Sequence, residues 1–218
     1  MTGSGGRSVP EKRPQRRDPA ATWQALLDAA VLEFTEFGFE GGRVDRIARH
    51  AGVNKQLVYH YFGSKEDLYR TTLEEVYRQI RAREQELHLT DLEPLEAMRR
   101  LVGFSFDYLA EHPEFVALIN DENRMEASHL KTSDKVAEMH SPLVRVVEET
   151  LSRGVRVGLF TDRFDGVEVY LFIAALTFFH FSNRHTLSVI FGRDMTSADQ
   201  SARHRDHVIA LVLAALRP

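Results

Sequence analysis

An all-α chain is the expected fold class, on three observations. Apolar residues recur at three- and four-residue spacing through most of the 218 residues. No run alternates apolar and polar residues between hairpin turns. Gly, Pro, Ser and Asn stand where helices on that spacing would have to start or stop. The pattern divides the chain into an arm (residues 1–18), a three-helix unit (19–65) and a larger helical bundle (66–218).

The arm is read as disordered and basic. Gly3, Gly5, Gly6, Pro10 and Pro14 break any helix, and before Asp18 the only acid is Glu11, against Arg7, Lys12, Arg13, Arg16 and Arg17. Such an arm either reaches a minor groove or phosphate backbone, or is a solvated tail. Trp23, Leu27, Ala30, Val31, Phe34 and Phe37 mark a first helix ending at Gly38.

Val44–His50 is the next helix, because Val44, Ile47, Ala48 and Ala51 form one apolar stripe. Gly52 suits the left-handed conformation where a helix stops. Asn54 is a good N-cap for a further helix. Its inner face comes from Leu57 or Val58 and from Tyr61 or Phe62; Lys55, Gln56, Tyr59 and His60 lie on the other side. Ser64 with Asp67 forms an acidic variant of the capping box. Two short helices around a Gly turn are a helix-turn-helix, whose second helix must present donors and acceptors to base edges. Lys55 suits guanine O6 or N7, and Gln56 suits adenine. Tyr59, His60 and Tyr61 complete the groove face. Arg43 and Lys65 would hold the backbone, Lys65 at a helix N-terminus where a phosphate is favoured.

The segment IARHAGVNKQLVYHYFGSKEDL resembles the TetR family of bacterial transcriptional repressors. The matching positions are Ile47, Ala48, Ala51, Gly52, Val53, Tyr59, Tyr61, Phe62, Ser64, Lys65, Glu66 and Leu68. Ala29, Ala30, Phe34 and Gly38 extend the match upstream. The resemblance implies a homodimer, an all-helical C-terminal ligand-binding domain, and repression relieved by a small molecule. Arg43 departs from the Thr or Ser that often touches phosphate before the first motif helix. Asn54 replaces the usual Ser or Thr cap, and Val58 the usual Leu before Tyr.

Leu68 to about Leu87 reads as a long helix with Leu73, Val76, Tyr77 and Ile80 inward, linking the two units. Pro94 opens a helix with Leu95, Met98, Leu101, Val102, Ser105 and Leu109 on one face. His112-Pro113 ends it and opens a short helix, Glu114 to about Asn120. A polar passage, 121–133, precedes a long pattern to Gly154 that contains Pro142, where a kink is expected. Val167 to about Ile190 and His204 to Leu216 close the chain. Val167–Phe181 has twelve apolar residues in fifteen, short of the roughly 20 that span a bilayer, and reads as a buried helix. The last two helices are apolar nearly all round, so a second copy is expected to cover them in a four-helix interface.

The segments 112–130 and 178–192 resemble the ligand domain of a TetR subgroup that includes a pyrimidine-utilisation regulator. Asn120, Glu122, Asn123 and Arg124 either hydrogen-bond a polar effector, cap helices, or lie at the domain interface. The expected effector pocket has Phe104, Tyr108, Asn123, Tyr170 and Phe178 in its wall.

Composition narrows the function classes. Residues 1–65 hold ten Lys or Arg against seven Asp or Glu, and the remainder 18 against 25, so a basic head sits on an acidic body. Cysteine is absent, which excludes disulfides and thiolate metal sites and is compatible with the cytoplasm. No signal peptide is visible. Glu126 and His129 supply half of a di-iron carboxylate motif, and no other His has an acid three residues upstream. His204, Asp206 and His207 suit a solvated helix start better than a metal. The expectation is therefore a DNA-binding regulator, not an enzyme, with no catalytic site, metal or cofactor. Its partners would be a double-stranded operator, a small-molecule effector and its own copy, and no membrane. A helical-bundle metalloenzyme and a DNA-binding protein without effector are the alternatives.

Overall fold

The computed structural model describes residues 18–218, so the arm, Asp18 apart, lies outside the described residues. Those residues form α1 (Pro19–Gly41), α2 (Val44–His50), α3 (Lys55–Phe62), α4 (Lys65–Gln85), α5 (Pro94–Glu111), α6 (Pro113–Arg124), α7 (Asp134–Arg156), α8 (Gly166–Phe191) and α9 (Ala198–Ala215). Single 3₁₀ turns at Leu89–Asp91 and Leu130–Thr132 join α4 to α5 and α6 to α7, and no strand occurs among the described residues.

Local chemistry sets most boundaries. Asp18 accepts from the Ala20 N–H at 3.1 Å, and Pro19 supplies the preset first turn of α1. Asp165 and Glu168 close a capping box on α8, and Gly192 ends it in the left-handed region, φ 60°. The structure corrects the expected end of α1. The helix breaks at Gly38 (φ 65°, ψ −179°) and then continues to Gly41. Beyond the break, the Phe39 N–H leaves the helical ladder and donates to Asp121 Oδ2 at 2.7 Å, while Gly42 N–H returns to the Gly38 carbonyl. A contact 82 residues away replaces the local one.

Four other expectations change. Helix α9 starts at Ala198 rather than His204, so His204, Asp206 and His207 stand inside it rather than at a helix start. Helix α6 runs to Arg124 rather than Asn120. Leu95 is exposed, and Ala97 and Phe106 take the inward positions of α5 instead. Helix α8 spans 26 residues, so by length and composition it is long and apolar enough to cross a membrane. It is nonetheless packed against α5, α6, α7 and α9, and it carries His180, Arg184 and His185.

Two apolar cores fill the molecule. The second joins α5, α7, α8 and α9 around Met98, Val102, Val147, Ile173, Val208 and Val212. The first begins in α1–α3 with Leu26, Phe34, Ile47 and Val58 and does not stop at residue 65. It continues through Leu68, Tyr69 and Leu73 of α4 into Phe115 and Leu118 of α6 and Phe181 of α8.

Candidate nucleic-acid interface and ligand cavity

The helix-turn-helix forms as its residues dictate. Gly52 takes φ 65°, and Asn54 Oδ1 accepts from the Gln56 N–H at 2.9 Å. Ser64 Oγ accepts from the Asp67 N–H and donates back to Asp67 Oδ2, at 3.0 and 2.7 Å. Helix α3 is split lengthwise. Val58 and Phe62 are buried, Phe62 stacked on Trp23 of α1 at 5.8 Å, while Lys55, Gln56, Tyr59 and His60 are exposed and Tyr61 half-buried. The inward choices left open by the sequence thus fall to Val58 and Phe62. Leu57 is exposed because it shares the outer face.

The charged residues have intramolecular contacts in this state. Lys55 Nζ lies 3.7 Å from Asp45 Oδ1, both half exposed, a pairing easily exchanged for phosphate. Lys65 Nζ reaches the Glu40 carbonyl at 3.4 Å and sits 4.7 Å over the Phe39 ring, so it also ties α4 to the end of α1. Arg43 is exposed at the N-cap of α2, with its backbone N–H on Glu33 Oε1 at 2.7 Å. Arg46 is the structural cation: it donates to both oxygens of buried Glu33, at 2.7 and 3.0 Å, and lies over Phe37. Arg49, exposed in the last turn of α2 beside exposed His50, is a further cation on this unit that sequence reasoning passed over.

Asp121 fastens this unit to the bundle. It accepts from Phe39 N–H, from Tyr69 Oη at 3.2 Å and from Arg124 at 2.7 Å. Burial pushes its carboxyl up, but the bonds from Arg124, Phe39 and Tyr69 outweigh that and hold it below the ordinary carboxylate range. Glu122, 1 % exposed, accepts from the His129 and Leu130 N–H groups at 2.8 and 2.9 Å and pairs with His129 Nδ1 at 2.9 Å. Of the polar residues at 120–124, Asp121, Glu122 and Arg124 therefore make structural contacts, and Asn120 Oδ1 accepts from Ser182 Oγ at 3.3 Å. Glu126 stands apart from this arrangement at φ 58°, and no group of three or more His, Asp or Glu residues gathers among the described residues.

A cavity of about 380 Å³ lies between α4, α5, α6 and α8. Its wall is mostly apolar, with Ile80, Leu109, Phe115 and Ile119 among its residues, and Tyr77, Arg81 and Glu84 of α4 supply polar groups. Of the five residues expected in the wall, Asn123, Tyr170 and Phe178 border it and Phe104 and Tyr108 do not. Tyr108 is buried against His112, rings 4.1 Å apart, and burial pushes its hydroxyl up to about 12. Phe104 faces a separate cleft beside Asp107 and Arg205. The sequence did carry a signal for the α4 residues. Tyr77, Ile80, Arg81 and Glu84 stand at i, i+3, i+4 and i+7, which places two charges on an apolar helical face.

Both ends of the molecule meet on two helices. Helix α4 starts at the recognition helix and carries the cavity residues three to five turns later. Helix α6 carries Phe115 and Ile119 in the cavity wall and Asp121 at the helix-turn-helix unit.

Comparison with known proteins agrees with this division. Residues 26–72 match the model for bacterial regulatory proteins of the tetR family, and residues 94–212 match that for the tetracyclin repressor-like C-terminal domain. The chain is 36 % identical over 205 residues to the HTH-type transcriptional repressor NicS of Pseudomonas putida KT2440, covering 94 % of this chain and 96 % of that one. It is 33 % identical over 98 residues to the regulator RutR of Escherichia coli K12, covering 45 % and 46 %. Among solved structures, a putative transcriptional regulator from Streptomyces coelicolor, SCO4942, superposes with TM-score 0.65 at 26 % identity, covering 90 % of this chain and 99 % of that one. A reader unit with one polar outer face, joined by shared helices to a hollow bundle and matched at both ends, places the chain in the TetR family of DNA-binding transcriptional regulators.

Proposed function

We propose that the chain is a repressor that binds a palindromic operator as a homodimer and releases it when a small molecule enters the α4–α8 cavity. The reading rests above all on α3, whose buried half fixes a rigid helix and whose exposed half carries Lys55, Gln56, Tyr59 and His60. Arg43, Tyr61 and Lys65 flank that face as backbone contacts and as its edge. NicS is named a repressor, and this chain shares 36 % of its residues, which supports repression as the direction of control. A regulator that binds a bacterial operator meets it in the cytoplasm, where we place this chain.

Dimerisation is supported by what α8 leaves uncovered. Of the exposed apolar residues of α8, Val167, Leu171, Phe172, Phe179, Val189 and Ile190 fall within an arc of about 140° at 3.6 residues per turn, and Phe191, in the last turn, falls outside it. Leu211 of α9 is exposed as well. One apolar helical face of this width is expected to be covered by a second copy. Two readers related by symmetry then meet half-sites roughly 34 Å apart or a multiple of that.

Effector release follows from linkage: a ligand that prefers the conformation with misplaced readers must lower operator affinity. Helices α4 and α6 are the physical route, since each touches both sites. Binding-site selection with the purified chain, followed by gel shifts over a salt series, tests the operator reading. A symmetric consensus bound with steep salt dependence is expected. Light scattering is expected to give about twice the 24.9 kDa of one chain. A stable monomer, or a chain indifferent to duplex DNA, would refute the proposal.

A further inference from the structure

The cavity between α4 and α8 has an uneven polar inventory. The hydroxyls of Ser105 and Thr177 already donate to helix carbonyls, those of Leu101 and Ile173, at 2.9 and 2.8 Å. Asn123 is exposed. What stands out is the pair on α4. Arg81 Nη1 lies 2.6 Å from Glu84 Oε2, with the two side chains 7 % and 6 % exposed. The angles are wrong for a hydrogen bond, so Arg81 Nε, Arg81 Nη1 and Glu84 Oε2 are all buried without a hydrogen-bond partner. Arg81 also hydrogen-bonds Tyr170 and lies 6.0 Å from the centre of its ring.

The same two residues border a second, smaller cavity of about 180 Å³ against α7, lined also by His88, Leu89, Met139 and Leu143. The Arg81–Glu84 pair is therefore the partition between two chambers. A guanidinium buried in an apolar wall with two donors unused is costly unless an acceptor arrives. A neutral carbonyl satisfies one donor and leaves the charge. A carboxylate meets one of these donors with a charge-assisted bond and compensates the charge as well. A phosphate brings a second charge and a third oxygen into a wall that is mostly apolar.

We propose that the cavity takes a mostly apolar molecule bearing a single carboxylate, which docks on Arg81 and displaces Glu84 from it. The inference rests on the reading of this cavity as the effector site and names the chemical class of that effector. Burial pushes the Glu84 carboxyl up to about 7 despite Arg81 beside it. Glu84 is thus a weak competitor, and near neutral pH it is readily protonated when the ligand's carboxylate arrives. Tyr77 and Tyr170 frame the guanidinium, and the apolar part of the ligand lies along Ile80, Phe115 and Phe178.

The test uses benzoate, octanoate and 4-phenylbutyrate, each beside its primary amide and the amine of the same skeleton, titrated calorimetrically into the full chain without DNA. At least one carboxylate is expected to bind, and to bind more tightly than its amide by about tenfold or more, with the amine weakest. Arg81→Gln should erase that preference. Glu84→Gln should raise carboxylate affinity several-fold, because the internal competitor is gone; a purely structural ion pair predicts weaker binding or none. Should Arg81→Gln fail to fold, Glu84→Gln alone decides. Failure of all three carboxylates to bind, an amide or amine that binds as well, or a Glu84→Gln chain with unchanged or weaker carboxylate affinity would overturn the inference. Operator binding is measured separately, so carboxylate binding without operator release would refute induction and leave the ligand class standing.

Discussion

Gly38→Ala tests whether the break at Gly38 and its contact with Asp121 help to hold the reader unit on the bundle. Gly38 sits at φ 65°, ψ −179°, a region open almost only to glycine, so any side chain there costs about 1–3 kcal/mol in backbone strain. The added Cβ would lie 3.1 and 3.2 Å from the two carboxylate oxygens of Asp121. That carboxylate must then retreat by a few tenths of an ångström, loosening its bonds to Phe39 N–H at 2.7 Å and Tyr69 at 3.2 Å. Weakening that pair adds about 1 kcal/mol, for a total loss of about 2–4 kcal/mol. Gly158→Ala is the control. It also has positive φ, 71°, but nothing lies within 4 Å of its Cβ position, so only the backbone cost of about 1–2 kcal/mol remains. Urea unfolding of both variants and wild type, at one protein concentration because a dimer's stability depends on it, reads the difference. A Gly38→Ala loss no larger than that of Gly158→Ala would refute that contribution.

Other expected outcomes concern the reader, the pH response and the dimer. Lys65→Ala should weaken binding to all duplexes alike and flatten the salt dependence by about one phosphate's worth, whereas Gln56→Ala should relax preference at one or two base pairs, costing about 1–3 kcal/mol; gel shifts over salt and sequence separate them. His180 is buried with Nε2 unpartnered, and burial, with His204 and Arg184 adding to it, lowers its imidazole to about 4. Its folded pKa lies below the unfolded value near 6.5, so the stability it confers is present above 6.5 and is lost as pH falls toward 4, up to about 3 kcal/mol. His180→Leu should shallow the fall in unfolding free energy across that window, and an unchanged slope would contradict it. Phe179→Glu puts a charge on the exposed α8 face and should yield monomers by light scattering, with operator affinity falling in parallel.

What could be read from the sequence followed from how far each determinant reaches along the chain. The helix-turn-helix was legible because Gly52, Asn54 and Ser64 act within three residues of themselves. The division of α3 was legible only as a pair of choices, because Leu57 and Val58, like Tyr61 and Phe62, are one residue apart, and tertiary packing such as Phe62 on Trp23 decides which of them turns inward. The break at Gly38 was not legible, since the acceptor that takes the Phe39 N–H is Asp121, which no local pattern connects to it. The cavity wall was legible in part. Aromatic content suggested a pocket, but α5 is rotated so that Tyr108 stacks on His112 and Phe104 turns toward Asp107 and Arg205. Arg81 and Glu84 were visible as charges on an apolar stripe, though that alone says nothing of the empty volume beside them.

The first core runs from Leu26 and Phe34 through Tyr69 to Phe115 and Phe181 without a seam at residue 65. Grafting the reader onto a foreign sensor by cutting after α3 would strip Leu26, Ile47 and Val58 of the surface they pack on. A chimera that keeps its fold has to carry α4 and the last turn of α6 with it. On the proposed function, the DNA-binding unit and the bundle are therefore tied together, and a new specificity has to arise by substitution within each rather than by exchange of halves.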